Sequence, residues 1–394
     1  MKTEKFSPNN LVDQYLDNIK LHKTLPENKK LSIEVMPVAG EFRNVIKSMN
    51  DNKSPGYDGI PVEFYKVFWT ELEELYLIMI EECWLSGQFP VSMNTGMLTL
   101  IHKADDHDNL RSFRPISLTN CDYKIIAFVF AERLQNIIAE IINTDQSGYI
   151  RGRYIGCNVR NIIDIYDFTE TFNLGGAMIS IDFEKAFDTL EHDFIYKALE
   201  KFNFGPQFIT WMKIFYAQPV FRVKNNGWIS GLHTMTRGIR QGCPMSALLF
   251  IISIELLACD IRNDKSIKGI LFGKYEHKIC QYADDATILV RDIESIPLVM
   301  KCIDKFSRFA GPALNLKKTK GIWLGCLKNL GIRLKYNIVW TGNPVKCLGI
   351  NIGHNANTCY KANWTDIIVN IERLLMIWSK RNLSLFGKIQ VVKT

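Results

Sequence analysis

The chain has 394 residues, of which 47% are hydrophobic and 23% charged, with a formal net charge of +7. That composition excludes a disordered or low-complexity polypeptide, and the length allows two or three structural units around a large core. The mild basic excess permits a nucleic-acid partner without establishing one.

The N-terminal stretch MKTEKFSPNNLVDQYLDNIK lacks the apolar run of a secretory signal. Residues 1–50 read as charged helix. The turn cluster SPGYDGIP (Ser54 to Pro61) opens a helix over Val62 to Leu85, with Pro61 suited to its first turn. GMLTLIHKADDHDNLRSFRPISLTN (Gly96 to Asn120) predicts strand, polar loop and strand, and a long helix follows over Asp122 to Ile142. An apolar strand, Ala177 to Ile181, ends on Asp182. Asp188 with Glu191 has the spacing of a capping box, ahead of a helix whose apolar face is Phe194, Ile195, Ala198, Leu199 and Phe202.

Arg237 to Leu257 predicts a glycine-bearing turn, with Pro244 opening a helix. The longest apolar run, ALLFIISIELLA (Ala247 to Ala258), carries Glu255 and is too short to span a bilayer, so it reads as core helix. QYADDATILV (Gln281 to Val290) sits in a hairpin pattern: Ile279 to Ala283 forms one strand, Ala286 to Val290 the other, and Asp284 and Asp285 fall at the turn. An amphipathic helix over Ile296 to Phe309 stops at Gly311 and Pro312, and short strands run to about Gly353. A last helix, Trp364 to Trp378, gathers Ile367, Ile368, Ile371, Leu374 and Leu375 on one face. Ten cysteines, none closer to the next than twelve positions, argue against a zinc site or a disulfide scaffold and fit buried thiols in a reducing compartment. Strands interrupted irregularly by helices predict an antiparallel-rich α+β core.

Two readings compete for Asp284 and Asp285. Aspartate is common at turns, which gives a solvated hairpin tip. Adjacent carboxylates also repel unless a cation lies between them, which gives a metal site. Asp182 closes an apolar strand, where an unpaired charge is costly. Carboxylates on the ends of neighbouring strands could hold two magnesium ions about 3.5–4 Å apart for in-line phosphoryl transfer. Magnesium needs few protein ligands when phosphates and water complete its shell.

SIDFEKAFDTLEH, RGIRQGCPMSALLF and QYADDATILV, in that order, resemble three core motifs of the reverse transcriptase family. NKSPGYDGIPVEFY, LTLIHKADDHDNLRSFRPISLTNCDYKI, DQSGYIRGRYIGCNVR, GPALNLKKTKGIW, VKCLGINIG and WSKRNLSLFGKI resemble its non-LTR (LINE-type) retrotransposon branch. The resemblance covers about residues 45–390 and implies an α+β right-hand polymerase. Its parts would be an N-terminal helical extension (1–45), fingers (46–175), a palm with an antiparallel sheet (176–355, with a fingers insertion near 205–235) and a partial thumb (356–394).

By the same resemblance Asp182, Asp284 and Asp285 match the catalytic acids. They would hold two Mg²⁺ ions, with Mn²⁺ as a substitute, helped by the carbonyl of Phe183. Lys103 and Arg114 match triphosphate-contacting positions. Phe187 matches an aromatic gate against a 2′-hydroxyl, with a plain core phenylalanine as the alternative. Gln241 and Gly242 match a backbone approach to the nascent base pair, with a helix cap as the alternative. Lys318 is a candidate general acid for pyrophosphate, with Lys317 and Lys320 as competitors. VKCLGI, including Lys346 and Gly349, resembles the primer-grip hairpin, and Arg151, Arg153 and Arg160 are candidate template-backbone contacts.

The expected activity is RNA-directed DNA polymerisation, a nucleotidyl transfer with an RNA template, a DNA primer and deoxynucleoside triphosphates as partners. No membrane partner is expected, and the expected location is intracellular, in cytoplasm, nucleus or both. No endonuclease segment is expected in this chain, and GKIQVVKT breaks off within the thumb-like pattern. The alternatives are a truncated, inactive retrotransposon copy that only binds RNA, and a maturase-like RNA-binding protein.

Overall fold

The computed structural model describes residues 9–103, 106, 108, 109, 112–328 and 338–393. Helices α1 (Asn9–Asn18), α2 (Glu27–Glu34) and α3 (Ala39–Ser48) lead into α4 (Val62–Ser86), which is kinked at Phe68 and closed by left-handed Gly87. Pro61 stands one residue before α4 rather than inside its first turn. A short α5 (Val91–Asn94), strands β1 (Thr95–His102) and β2 (Phe113–Leu118), and helices α6 (Cys121–Gln135), α7 (Ile138–Ile141) and α8 (Ile155–Thr171) follow. The long helix expected over Asp122 to Ile142 is broken at Ile137, whose φ of −123° leaves the helical region. Past the break, the carbonyls of Ala139, Ile142 and Asn143 turn to the Arg153 guanidinium instead of continuing a helical ladder.

The middle of the chain supplies β3 (Gly176–Ile181), β4 (Phe183–Glu184), α9 (Ala186–Thr189), α10 (His192–Lys201), α11 (Pro206–Phe215), β5 (Val220–Asn225), β6 (Trp228–Ile229), β7 (His233–Thr234) and α12 (Ser246–Asn263). Then come β8 (Ile270–Phe272), β9 (Tyr275–His277), β10 (Ile279–Tyr282), β11 (Asp285–Val290), α13 (Ser295–Ala310), β12 (Ala313–Leu314), β13 (Lys320–Leu324), β14 (Val339–Trp340), β15 (Val345–Cys347), β16 (Ile350–Ile352), α14 (Ala356–Ser379) and α15 (Leu385–Lys393). The capping box expected from Asp188 and Glu191 does not form. Asp188 lies in α9 and accepts from Gln241, while Glu191 pairs with Arg237. Both acids are drawn to the turn that precedes α12.

Two sheets matter for function. The first has the order β2-β1-β5-β6, with β7 also on β5, and β1 and β5 run parallel. The second, central sheet has the order β10-β11-β3-β13-β14, and its β10–β11, β11–β3 and β3–β13 pairings are antiparallel. Alternation along its strands separates two cores. Ala177, Ile179, Ile181, Ile279, Ile288 and Val290 face one core, which includes Phe194 of α10, Phe250 of α12 and Phe306 of α13. Met178, Cys280, Leu289, Ile322 and Leu324 face the other, with Ile162 and Ile165 of α8 and Val345, Cys347 and Ile352 of the β15–β16 hairpin. A sheet buried on both faces is held rigidly, and its strand ends can therefore present side chains with precision.

Helix α12 is buried along most of its length, and Glu255 within it is only 2% exposed. Arg262 pairs with Glu255 and makes a bidentate contact with Asp145 at 2.9 and 3.0 Å. All ten cysteines are unpaired. Among the described residues no helix is long and apolar enough to cross a membrane.

Candidate active site

Strand β3 runs out of the core at Ile181, and Asp182 follows at its open end. The β10–β11 hairpin pairs Tyr282 with Asp285, so its two-residue turn is Ala283–Asp284. The last β11–β3 pair is Ala286 with Ile181, which places Asp285 and Asp182 one step beyond it, side by side at one edge of the sheet. The expected hairpin is present, shifted by one residue: Asp284 is in the turn and Asp285 begins β11. Ala283 holds φ at +54°, a left-handed conformation that costs an alanine about 1–2 kcal/mol.

The acids repel one another. Burial, then the Asp182 charge, pushes the Asp284 carboxyl above its ordinary range, against the pull of Lys103 and Arg114. Partial burial, then Asp284 and Asp182, does the same to Asp285, with Lys346 and Lys103 opposing. Carboxyls raised in this way by neighbouring negative charge fit a site for divalent cations, whose charge would reverse the repulsion. Among the described residues no three His, Cys, Asp or Glu side chains close into a cage. An open carboxylate edge suits magnesium, which keeps water and phosphate oxygens in its shell. The Phe183 ring is buried and lies 6.2 Å from the Phe306 ring, so only the Phe183 backbone could serve an ion.

The other expected residues divide into those gathered here and those held elsewhere. Lys103 ends the β1 segment and Arg114 lies on β2; both are exposed, and both act on Asp284 from the first sheet. Lys318 reaches Asp182 Oδ2 at 3.6 Å from the loop after β12. That loop is pinned by Asn315, whose N–H donates to the Asp182 carbonyl at 2.8 Å. Lys346 is exposed on β15, and its carbonyl accepts from Ser180 Oγ of β3 at 2.8 Å. Gly349 shares a two-residue turn with Leu348, both at positive φ, which is the backbone of a tight hairpin.

Phe187 is half-buried and stacks on Phe250 with centroids 4.8 Å apart. Gln241 Nε2 donates to Asp188 at 2.9 Å, and its carbonyl accepts from Ser117 of β2. Gly242 has φ +114°, and a Cβ there would stand 2.6 Å from the Ser117 carbonyl oxygen. The Gln241–Gly242 turn thus ties β2 of the first sheet to Asp188 of α9. With Leu98, Pro115, Ser117, Asp188 and Arg240, Gln241 lines a cavity beside the first sheet.

The three arginines are each engaged by other groups. Arg151 forms a bidentate pair with Glu132, and Arg160 pairs with Asp164 at 2.8 Å. Arg153 donates to the carbonyls of Ala139, Ile142, Asn143 and Gln146. Those carbonyls occupy its guanidinium in the fold. Sequence reasoning missed Gln146, Gly148 and Tyr149, which pack against the β10–β11 hairpin; the Tyr149 and Tyr282 rings are 6.1 Å apart. The available signal was a polar Gln-Ser-Gly run before α8, since a glycine in a non-helical stretch often marks close backbone approach.

The family model for reverse transcriptase (RNA-dependent DNA polymerase) matches residues 101–352, more than half of the chain. An uncharacterized 149 kDa protein of transposon TX1 from Xenopus laevis is 32% identical over 327 residues, covering 82% of this chain and 25% of that protein. A retrovirus-related Pol polyprotein from the type-1 retrotransposable element R2 of Popillia japonica is 25% identical over 276 residues, 68% of this chain and 37% of that one. The RNA-directed DNA polymerase from mobile element jockey of Drosophila melanogaster is 20% identical over 413 residues, 99% of this chain and 43% of its own length. The chain therefore spans less than half the length of each of these relatives.

Proposed function

The chain belongs to the reverse transcriptase family, and on that premise we propose that it is an RNA-directed DNA polymerase of the non-LTR retrotransposon type. It adds deoxynucleotides to a DNA primer 3′-end on an RNA template, within the cell. The observation that carries this reading is the edge formed by Asp182, Asp284 and Asp285 opposite Lys103 and Arg114. The right-hand description fits the same layout. The first sheet acts as fingers, the central sheet as palm, the β15–β16 hairpin as primer grip, and α14–α15 as part of a thumb.

Asp182, Asp284 and Asp285, with the Phe183 backbone carbonyl, would hold two Mg²⁺ ions, with Mn²⁺ as a substitute. When bound, such ions acidify the primer 3′-hydroxyl and neutralise the triphosphate and leaving pyrophosphate. Lys103 and Arg114 draw the triphosphate toward the acids, Arg114 with the planar donors that suit phosphate oxygens. Lys318, beside Asp182, gives a proton to the departing pyrophosphate. The Phe187 ring, braced by Phe250, crowds a ribose 2′-hydroxyl. The Gln241–Gly242 backbone faces the nascent base pair, held there by the close packing of Gly242 on the Ser117 carbonyl. Lys346 and Gly349 hold the primer.

The deciding experiment is primer extension on an RNA template with and without Mg²⁺, with Asp284→Asn as control. Metal-dependent extension lost in the variant supports the reading; no extension by the intact chain, or equal extension by the variant, rejects it.

A further inference from the structure

We propose that Gln146 is a positioning residue: its carboxamide fixes the Ala283–Asp284 turn and so sets where the Asp284 carboxylate points. The inference rests on the polymerase reading above.

Gln146 is fully buried. Its Oε1 accepts from the N–H of Ala283 and from the N–H of Gly148, each at 2.8 Å, and its Nε2 donates to the Ala283 carbonyl at 3.4 Å. One side chain thus answers both backbone polar groups of the residue immediately before Asp284. Ala283 is the residue at φ +54°, a conformation alanine does not choose unaided. The two peptide planes that flank Ala283 determine the direction of Asp284, and Gln146 grips both.

The grip is itself anchored. Residues 145–147 lie along β10 as a short parallel strand: the Gln281 N–H donates to the Asp145 carbonyl at 2.7 Å, and the Ser147 N–H donates to the Gln281 carbonyl at 3.0 Å. Asn158 Nδ2 ties the same two carbonyls together at 2.6 and 3.0 Å. Arg153 holds the Gln146 carbonyl at 2.7 Å, and Arg262 holds the Asp145 carboxylate. Gly148 permits the approach, since a Cβ there would stand 2.4 Å from the Ala283 nitrogen.

A neutral carboxamide meets all three demands at once and at any pH, accepting two N–H bonds on one atom and donating from the other. Methionine has similar length but leaves two buried N–H groups unpaired. Glutamate meets the demands only when protonated, because an ionised carboxylate cannot donate to the Ala283 carbonyl and adds charge beside Asp284.

The test compares wild type, Gln146→Met and Gln146→Glu in primer extension, with Mg²⁺ and pH varied, alongside anisotropy for primer–template Kd. Q146M is expected to lose about 10–100-fold in kcat and to need more Mg²⁺ for half-saturation, at unchanged Kd. The Q146E to wild-type ratio of kcat is expected to rise toward one as pH falls from about 8 to about 6, through a carboxyl raised by burial. A merely structural role would weaken primer–template binding and turnover alike in both variants. Wild-type kcat and Mg²⁺ response in Q146M, or a Q146E ratio that is flat with pH, would overturn the inference. Should the wild type itself not extend primers, the polymerase reading fails separately. Mn²⁺ titration of the free proteins by EPR then decides, with tighter binding by wild type than by Q146M supporting the grip and equal binding overturning it. Should Q146M not fold, Q146E at pH ~8 carries the decision: lower kcat at unchanged Kd supports the inference, and a matched loss of both overturns it.

Discussion

The Lys318 ammonium stands 3.6 Å from Oδ2 of Asp182, and of the three lysines in NLKKTK it is Lys318 that makes this pair. Lys318 therefore sits at the edge of the proposed site, exposed like its neighbour Lys317, while Lys320 begins β13. Lys318→Met should lower kcat by roughly a hundred-fold and leave primer–template affinity near wild type. Lys318→Arg should restore charge but little rate, because a guanidinium does not release its proton. Single-turnover rates against pH would check this; equal losses in Lys317→Met or Lys320→Met would remove the assignment.

Asp284→Asn should reduce extension by roughly a thousand-fold. The fold should not suffer. Burial and the Asp182 charge raise the Asp284 carboxyl, so the folded state holds its proton more tightly than the unfolded chain does. Stability from this group is therefore present at low pH and lost as pH rises through the folded pKa. At neutral pH and without divalent ions the variant should melt at or above the wild-type temperature. Added Mg²⁺ should raise the wild-type Tm more than that of the variant. A lower Tm in metal-free Asp284→Asn would contradict the electrostatic picture of the edge.

Phe187→Val should admit ribonucleotides. The ring is half-buried on Phe250, so it is braced to crowd a neighbour rather than to yield. The informative quantity is the ratio of kcat/KM for deoxy- and ribonucleotides in both proteins. If that ratio does not move, Phe187 is an ordinary packing residue.

Much of this fold was legible because apolar periodicity is strong where both faces of an element are buried. The β3 strand, the α12 run and the Phe194 face of α10 emerged as expected. The misses share one cause: tertiary partners took over local signals. Asp188 and Glu191 have the spacing of a cap, but Gln241 and Arg237 claim them. The helix over 122–142 looks continuous, but Arg153 gathers the carbonyls past its break. A sequence cannot reveal that four carbonyls converge on the Arg153 guanidinium. Gln146 went unassigned because its partner, Ala283, lies 137 positions away.

Arg262→Ala should destabilise the protein by about 3–5 kcal/mol at neutral pH, because it strips the partner from buried Glu255 and half-buried Asp145. Desolvation outweighs the Arg262 attraction and holds Glu255 at about 7 and Asp145 at about 6. Both folded values lie above the unfolded ones, so these groups favour folding at low pH and lose that contribution as pH rises through about 6 and 7. Without Arg262 the carboxyls would rise further, and the penalty should shrink near pH ~5, where both carry protons. Urea unfolding of both proteins at pH ~5 and pH ~8 would measure this; a penalty independent of pH would point to lost packing instead of charge.

Helix α14 carries no buried residue, and Ile371, Leu374 and Leu375 on its apolar face are each at least half exposed. What ties the helix to the fold is polar: Asn363 Oδ1 accepts from the Asn351 N–H at 2.8 Å, and Asn363 Nδ2 donates to the Asn351 carbonyl at 2.9 Å. An exposed apolar stripe of this kind promotes self-association without contributing to folding of the chain that bears it. Ile371→Lys combined with Leu375→Lys should therefore reduce association in sedimentation runs and shift the unfolding free energy by less than about 0.5 kcal/mol. Asn363→Ala should do the opposite: the apolar stripe stays, but a reciprocal hydrogen-bonded pair at the base of the helix is lost. Limited proteolysis should then cut within residues 356–393 sooner, while the melting of the two-faced sheet stays where it was. A double lysine variant that unfolds markedly more easily would show that the stripe is packed in solution and that α14 is held by more than its asparagine pair.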